Sequence, residues 1–368
     1  MTEVSENQVR DSVKDYYGKT LKTSDDLLTP ACSTGASRMS KSVKKALGEV
    51  HDEVTMKYYG CGLVIPEKVE GTRILDLGSG SGRDCFALSK LVGEDGSIVG
   101  LDMTDEQLAV SRKYIDYHRE KFGFKKANTE FVKGYIEKIV EAGLKEETFD
   151  IIVSNCVVNL SPDKKAVLSD AYKVLKVGGE LYFSDIYADN DVPESARKHE
   201  VLWGECISGA LWWKELYTLA EEIGFSQPRL VAATPVPIER EDFKKVLGDA
   251  KFASVTYRLF KLPGKREAPR QVIYNGDITD HEKELKFDFK HSFKTGEPVA
   301  VDEELSTILT ASRFKDEFDF QPCAASKTGC CPSKVDMVKD PFVYMSELES
   351  SGENLAPACC PTSDKKCC

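Results

Sequence analysis

Between Arg73 and Tyr187 short apolar runs alternate with amphipathic ones, and few folds accept that rhythm. RILDL (Arg73–Leu77), SIVGLD (Ser97–Asp102), TEFVKG, FDIIVSN and GGELYFSDIY have the length and content of buried strands. SGRDCFALSKLVG, DEQLAVSRKYIDYHREKF and AVLSDAYKVLK, which separate them, have helical spacing. Strands that alternate with helices in this way predict a parallel, doubly wound sheet. RLVAATPVPI and FASVTYRLFKL add two strands close enough in sequence to pair at one sheet edge. Upstream, Val9, Val13, Tyr16, Tyr17 and Leu21 fall at near-helical spacing, and PACSTGASRMS reads as a loop carrying Cys32. From about Gly264 the rhythm stops, and VIYNGDI and KFDFKHSFKTGEPVAVD suggest a small strand-rich appendage. Beyond Phe320 the chain is rich in Cys, Pro, Ser, Lys and Asp and reads as a mostly disordered tail. No internal repeat is evident.

Composition removes several classes of function. The formal net charge of −11 argues against nucleic acid as a partner, since a phosphate backbone selects a basic surface. No apolar run approaches membrane-spanning length, and the polar, acid-containing start MTEVSENQVRDSVKDYY is unlike a secretory signal or a mitochondrial presequence. A cytoplasmic protein is expected. In a reducing compartment the 12 cysteines are not a disulfide framework. Seven of them crowd the tail, whereas Cys32, Cys61, Cys85, Cys156 and Cys206 stand singly in the first two thirds of the chain.

The loop DLGSGSG joins the first strand of the alternation to its helix. Gly78, Gly80 and Gly82 allow a tight turn and a close ligand approach. Asp102, with Met103 after it, ends the second strand, where a carboxylate can take both hydroxyls of a ribose. At the exit of the third strand, Ile136 can lie on an aromatic ring while Glu137 reaches its edge. A dinucleotide fingerprint delivers a helix N-terminus to a pyrophosphate through GxGxxG. Here Asp76 precedes a GxGxG; that acid repels phosphate and suits an ammonium group. The arrangement resembles the class I S-adenosylmethionine (SAM)-dependent methyltransferases. The resemblance implies a Rossmann-like α/β fold with a seven-stranded sheet whose final hairpin makes one strand antiparallel.

The scattered thiols then acquire a place. Cys156 follows the fourth strand in SNCVVNL, Cys61 lies between two glycines in KYYGCGLVIP, and Cys206 follows the fifth strand in LWGECISGA. All three segments are expected at the carboxyl edge of the sheet, beside a bound methyl donor. Cys85 lies within the first helix of the alternation and reads as core. Thiolates prefer soft centres to hard cations. With five histidines and no CxxC spacing in the folded part, structural zinc fits poorly. Trivalent arsenic fits better: three thiolates hold it as a pyramid, and its lone pair attacks the methyl group with no general base.

PACSTG, YYGCG, ILDLGSGSGRDC, SNCVVNLSPDK and LWGECISGA together resemble the animal-type arsenite methyltransferases, from about residue 8 to residue 322. The resemblance implies that Cys156 and Cys206 are the core arsenic ligands and Cys61 the third thiolate. It also implies that Cys32 and Cys61 can pair as a disulfide, which thioredoxin or glutathione reopens. Tyr59 and Asn155 become candidate cofactor contacts by their place in the matching motifs. The products are mono-, di- and trimethylated arsenicals, and the expected role is arsenic detoxification by a monomer. The expected organisation is a helical and loop segment over residues 1–40, a SAM-binding domain over 41–263, an α+β appendage over 264–322 and a tail over 323–368.

Two other readings compete. A SAM-dependent methyltransferase of a quinone or another small organic molecule shares the fold, yet leaves the placement of Cys61, Cys156 and Cys206 unexplained. A non-enzymatic thiol protein with a degenerate cofactor site leaves the pairing of glycine loop and ribose acid unexplained.

Overall fold

The computed structural model describes residues 3–21, 26–29, 39–323, 332 and 334–352. Cys32 lies outside the described residues. The large sheet uses β1 (Arg73–Leu77), β2 (Ser97–Asp102), β3 (Thr129–Lys133), β4 (Phe149–Asn155), β5 (Leu175–Ala188), the two-residue β6 (Leu211–Trp212), β7 (Arg229–Val236) and β8 (Phe252–Phe260). Its order is β3-β2-β1-β4-β5-β8-β7, with β6 beside the end of β5. The pairs from β3 to β5 are parallel, and β8 runs antiparallel to both β5 and β7. The seven strands of this path, one of them reversed, are those the sequence led us to expect, and the short β6 is an addition.

Burial explains why these segments are strands. Ile74, Leu75 and Leu77 of β1, and Ile151, Ile152 and Val153 of β4, are almost wholly inaccessible, so alternate residues of each strand meet helices on opposite faces. Strand order reverses between β1 and β4, which opens a crevice at their carboxyl ends. The sequence 105–122, expected to form one helix, forms two, Asp105–Lys113 and Ile115–Phe122. The break at Tyr114 is tertiary in origin: the His51 ring stacks on the tyrosine at 3.9 Å, and its hydroxyl bonds Glu53.

The appendage has its own core, with Phe260, Phe287, Phe293 and Phe314 fully buried. Here β9 (Arg270–Tyr274), β12 (Pro298–Val301) and β13 (Phe318–Pro322) form an antiparallel sheet, and β10 (Glu284–Lys286) pairs with β11 (Ser292–Lys294). Two fully buried arginines rivet it to the large sheet. Arg258 of β8 bonds Glu180 of β5 at 2.6 Å and the carbonyl of Phe287 at 2.9 Å; Arg229 of β7 bonds Asp288 at 2.9 Å. Buried guanidiniums need such partners, since one without a partner costs several kcal/mol. Part of the stretch read as a disordered tail is ordered: Pro341–Ser350 is a helix. Asp340 caps it, Pro341 opens it, and Met345 is buried with Phe342 and Tyr344 packed against the main core.

Candidate active site

A cavity enclosing about 930 Å³, part of it open to solvent, lies over the carboxyl ends of β1, β2 and β4. Tyr59, Asp76, Gly78, Gly80, Asp102, Met103, Ile136, Glu137 and Asn155 all line it. Gly82 does not. It stands at the start of helix Arg83–Val92 with φ +90°, and a Cβ there would fall 2.8 Å from Phe131. Gly78, at φ +68°, is pressed so closely by Val157 that a Cβ would meet it at 2.4 Å. These glycines serve chain geometry first, and only through it the ligand.

The cavity floor is acidic. Asp102 accepts the amides of Gly80 and Thr104, both at 2.8 Å, and burial nonetheless raises its pKa. Asp76 is held well above the usual carboxylate range by burial and then by the neighbouring Asp84. Cys85, expected to be core filling, is buried but also donates its thiol to Asp76 at 3.1 Å. Carboxyl groups gathered in low dielectric favour a cationic ligand over a phosphate. Ser79 Oγ and Gln107 Oε1, on residues lining the same cavity, are buried without a hydrogen-bond partner among the described residues. The acid set and the glycine turn therefore suit SAM, with its sulfonium, ammonium and ribose groups.

The rim comes from the N-terminal helix Glu3–Asp15 and the turn after it, through Arg10, Val13 and Tyr17. Glu137 accepts Ser161 Oγ at 2.7 Å and Arg10 Nε at 3.3 Å, which ties that helix to the rim. The Tyr59 ring stands edge-on to Tyr17, 5.4 Å between centroids, and burial pushes its hydroxyl pKa up to about 12.

At one end of the cavity the thiols converge. Cys61, Cys156 and Cys206 are all buried, and Cys156 also lines the cavity. Cys61 and Cys156 are joined as a disulfide across 95 residues. In this structure Cys61 thus pairs with Cys156; its expected pairing with Cys32 falls on a residue outside the described ones. The Asn155 side chain sets the pairing observed. Its Oδ1 accepts the amides of Cys61 (2.9 Å) and Gly62 (3.3 Å), while its Nδ2 donates to Gly62 O, Tyr58 Oη and Asp84. Asn155 thereby lays the Cys61 loop over the end of β4, beside Cys156. Cys206 donates its thiol to the carbonyl of Cys156 at 3.1 Å. Cys156 and Cys206 both have left-handed backbones, at φ +56° and +62°. For a residue with a side chain this costs about 1–2 kcal/mol, and such strain concentrates at functional sites.

Sequence reasoning missed several neighbours. Asp185 is buried in β5; its carboxylate accepts Ile186 N at 2.8 Å and Asn159 N at 3.0 Å, and burial raises its pKa to about 7. Its signal was available, because it is an acid near the end of an apolar strand, as Asp102 is. Glu205 is fully buried and receives Leu28 N, Thr29 N, Thr29 Oγ1 and Tyr16 Oη; nothing in the sequence marked it. Trp203 and Trp213 pack in the cores.

An "Arsenite methyltransferase" from Homo sapiens is 51% identical to the chain over 377 residues, covering all of both proteins. The chain belongs to the arsenite methyltransferase family. The enzyme is also 49% identical to an "Arsenite methyltransferase" from Aquipseudomonas alcaligenes, over 85% of this chain and 90% of that one. Two family models match it, "Methyltransferase domain" over residues 68–224 and "Arsenite methyltransferase C-terminal domain" over residues 267–368. Its fold superposes with a TM-score of 0.75 on the crystal structure of an arsenic(III) S-adenosylmethionine methyltransferase from Chlamydomonas reinhardtii. That protein is 42% identical, with 78% of this chain and 98% of that one covered. The enzyme is thus a SAM-dependent arsenite methyltransferase, which decides against a small organic substrate and against a non-enzymatic thiol protein. No helix among the described residues is long and apolar enough to cross a membrane.

Proposed function

We propose that the enzyme methylates arsenic while holding it on the thiolates of Cys61, Cys156 and Cys206, and that the reaction detoxifies arsenite by adding one, two or three methyl groups in turn. The observation that carries this reading is the double position of Cys156, which lines the acidic cavity and whose sulfur adjoins the other two cysteines. When bound, SAM supplies an electrophilic methyl group to the lone pair of trivalent arsenic. Asp102 holds the ribose hydroxyls, Tyr59, Met103 and Ile136 pack the adenosine, and the glycine turn with Asp76 holds the methionine end. Asn155 acts as the positioning residue that brings Cys61 to Cys156. The apolar wall around the cluster, including Leu160, Ile186 and Trp203, excludes water from the reacting atoms.

Methyl transfer leaves arsenic pentavalent, and two electrons must return. The Cys61 and Cys156 thiolates supply them: their two bonds to arsenic break, the sulfurs join as a disulfide, and two electrons stay on arsenic as its lone pair. Thioredoxin or glutathione reopens the bond by thiol–disulfide exchange. A reducing cytoplasm sustains that cycle, and a monomer suffices because every residue in this reading lies on one chain. Cys32 is a further candidate in the relay, beyond the described residues.

The test is methyl transfer from labelled SAM to arsenite with thiols present, in wild type, Cys156→Ser and Cys206→Ser. Labelled methylarsenicals are expected from wild type alone, with SAM binding retained in all three. Product persisting in both variants would remove the thiol cluster as the arsenic site.

A further inference from the structure

One buried group at the thiol cluster has no part in arsenic chemistry as derived above. A carboxylate oxygen of Asp185 and the sulfurs of Cys156 and Cys206 lie within 4.8 Å of one another. The sulfur of Cys61 is bonded to that of Cys156. Once that bond is reduced, the Cys61 sulfur is a third thiol beside the Cys156 member of this group.

Such a donor set exceeds what trivalent arsenic uses. Arsenic takes three thiolates and keeps its remaining direction for the lone pair, so a fourth donor brings it nothing. Divalent cations of the zinc group behave differently: they close a tetrahedron of four sulfur, nitrogen or oxygen ligands. Bond lengths of about 2.3 Å to sulfur and about 2.0–2.2 Å to oxygen imply ligand–ligand edges of roughly 3.5–3.8 Å. The present spacing lies within 4.8 Å, and a bound cation has to draw the donors together over the difference. The Asp185 carboxylate is already oriented by the amides of Asn159 and Ile186, and each oxygen keeps a lone pair for a cation.

We propose that Cys61, Cys156, Cys206 and Asp185 form, in the reduced enzyme, a tetrahedral site for a thiophilic divalent cation, Zn²⁺ or Cd²⁺, that occupies the thiols in place of arsenite. The cation displaces the thiol protons and no electrons move. The cation site stands on the geometry of the cluster; its competition with arsenite rests on the proposed thiolate reading. A zinc-group ion bound there takes the thiolates that arsenite needs and has no nucleophilic electrons to offer. The site would therefore be inhibitory.

Cadmium reads it directly. The full-length enzyme is reduced with a phosphine, titrated with Cd²⁺ against a competing chelator, and followed by the ultraviolet sulfur-to-cadmium charge-transfer band. Wild type, Asp185→Asn and Cys206→Ser are compared; the tail cysteines contribute the same background to all three. At least a tenfold loss of affinity for one equivalent is expected in Asp185→Asn, together with displacement of that equivalent by arsenite in wild type. The cadmium-113 resonance of wild type needs no variant and separates S₃O from all-sulfur ligation. Equal affinity in Asp185→Asn, or an all-sulfur resonance, would overturn the site. An oxygen-ligated cation that arsenite fails to displace would keep Asp185 as a ligand and overturn the competition, along with the placement of arsenic on these thiols.

Discussion

In the proposed cofactor cradle, Asp76, Asp84 and Asp102 come from one strand–loop–helix–strand unit, and β1 and β2 pair in continuous register between them. In the thiol cluster, Cys61, Cys156 and Cys206 come from three separate loops, joined through a disulfide, one asparagine and one thiol–carbonyl contact. The two regions touch at Cys156. The difference teaches where each is vulnerable. The cradle is most exposed to loss of a residue that meets the ligand, whereas the cluster depends as much on residues that carry its loops. Asn155 and Glu205 are of the second kind.

Three substitutions sharpen or break this comparison. Asp102→Ala is expected to have the largest effect: SAM affinity by calorimetry should fall roughly ten- to hundredfold, the worth of a charged hydrogen-bonding group. Binding of arsenite to the reduced thiols, followed through quenching of Trp203, should be unchanged. Loss of both would mean that cradle and cluster are one unit. Asn155→Ala should lower methyl transfer by about tenfold, because the Cys61 loop loses the contacts that hold it, each worth about 1 kcal/mol. Its signature is slower closure of the Cys61–Cys156 disulfide, measured by trapping free thiols for mass spectrometry. Closure at the wild-type rate would show that the loop needs no tether. Glu205→Gln should act most weakly. The carboxylate gathers Tyr16, Leu28 and Thr29 beside Cys206, and residues just before Tyr16 line the cofactor cavity. About a threefold faster dissociation of SAM in stopped flow is expected, for a loss of about 1 kcal/mol. An unchanged rate would separate that anchor from the cover of the cavity.

Much of the cradle was legible in the sequence because its determinants are local. A glycine run after an apolar strand, and an acid at the end of the next, carry their meaning within a few residues. The parallel strands were legible for a related reason: burial on both faces leaves an uninterrupted apolar run, as in Ile151–Val153. What escaped depends on distant partners. The helix break at Tyr114 is made by His51 and Glu53, some sixty residues away. The helix at Pro341–Ser350 has only Met345 and a few neighbours to bury, too few to show as periodicity. The Cys61–Cys156 pairing follows from the reach of Asn155, and the importance of Glu205 from donors about 180 positions upstream. A carboxylate's role in the interior is set by what is folded against it, and no local pattern records that.

The left-handed backbones of Cys156 and Cys206 carry a consequence for laboratory evolution. At most buried positions glycine is the most damaging small replacement; at these two it alone adopts the required torsion without strain. Cys206→Gly should therefore melt no lower than Cys206→Ala, although both lack the thiol. A library sorted only for heat resistance would favour glycine over alanine at residue 206, where no disulfide is lost, and would discard a thiol that the proposed chemistry needs.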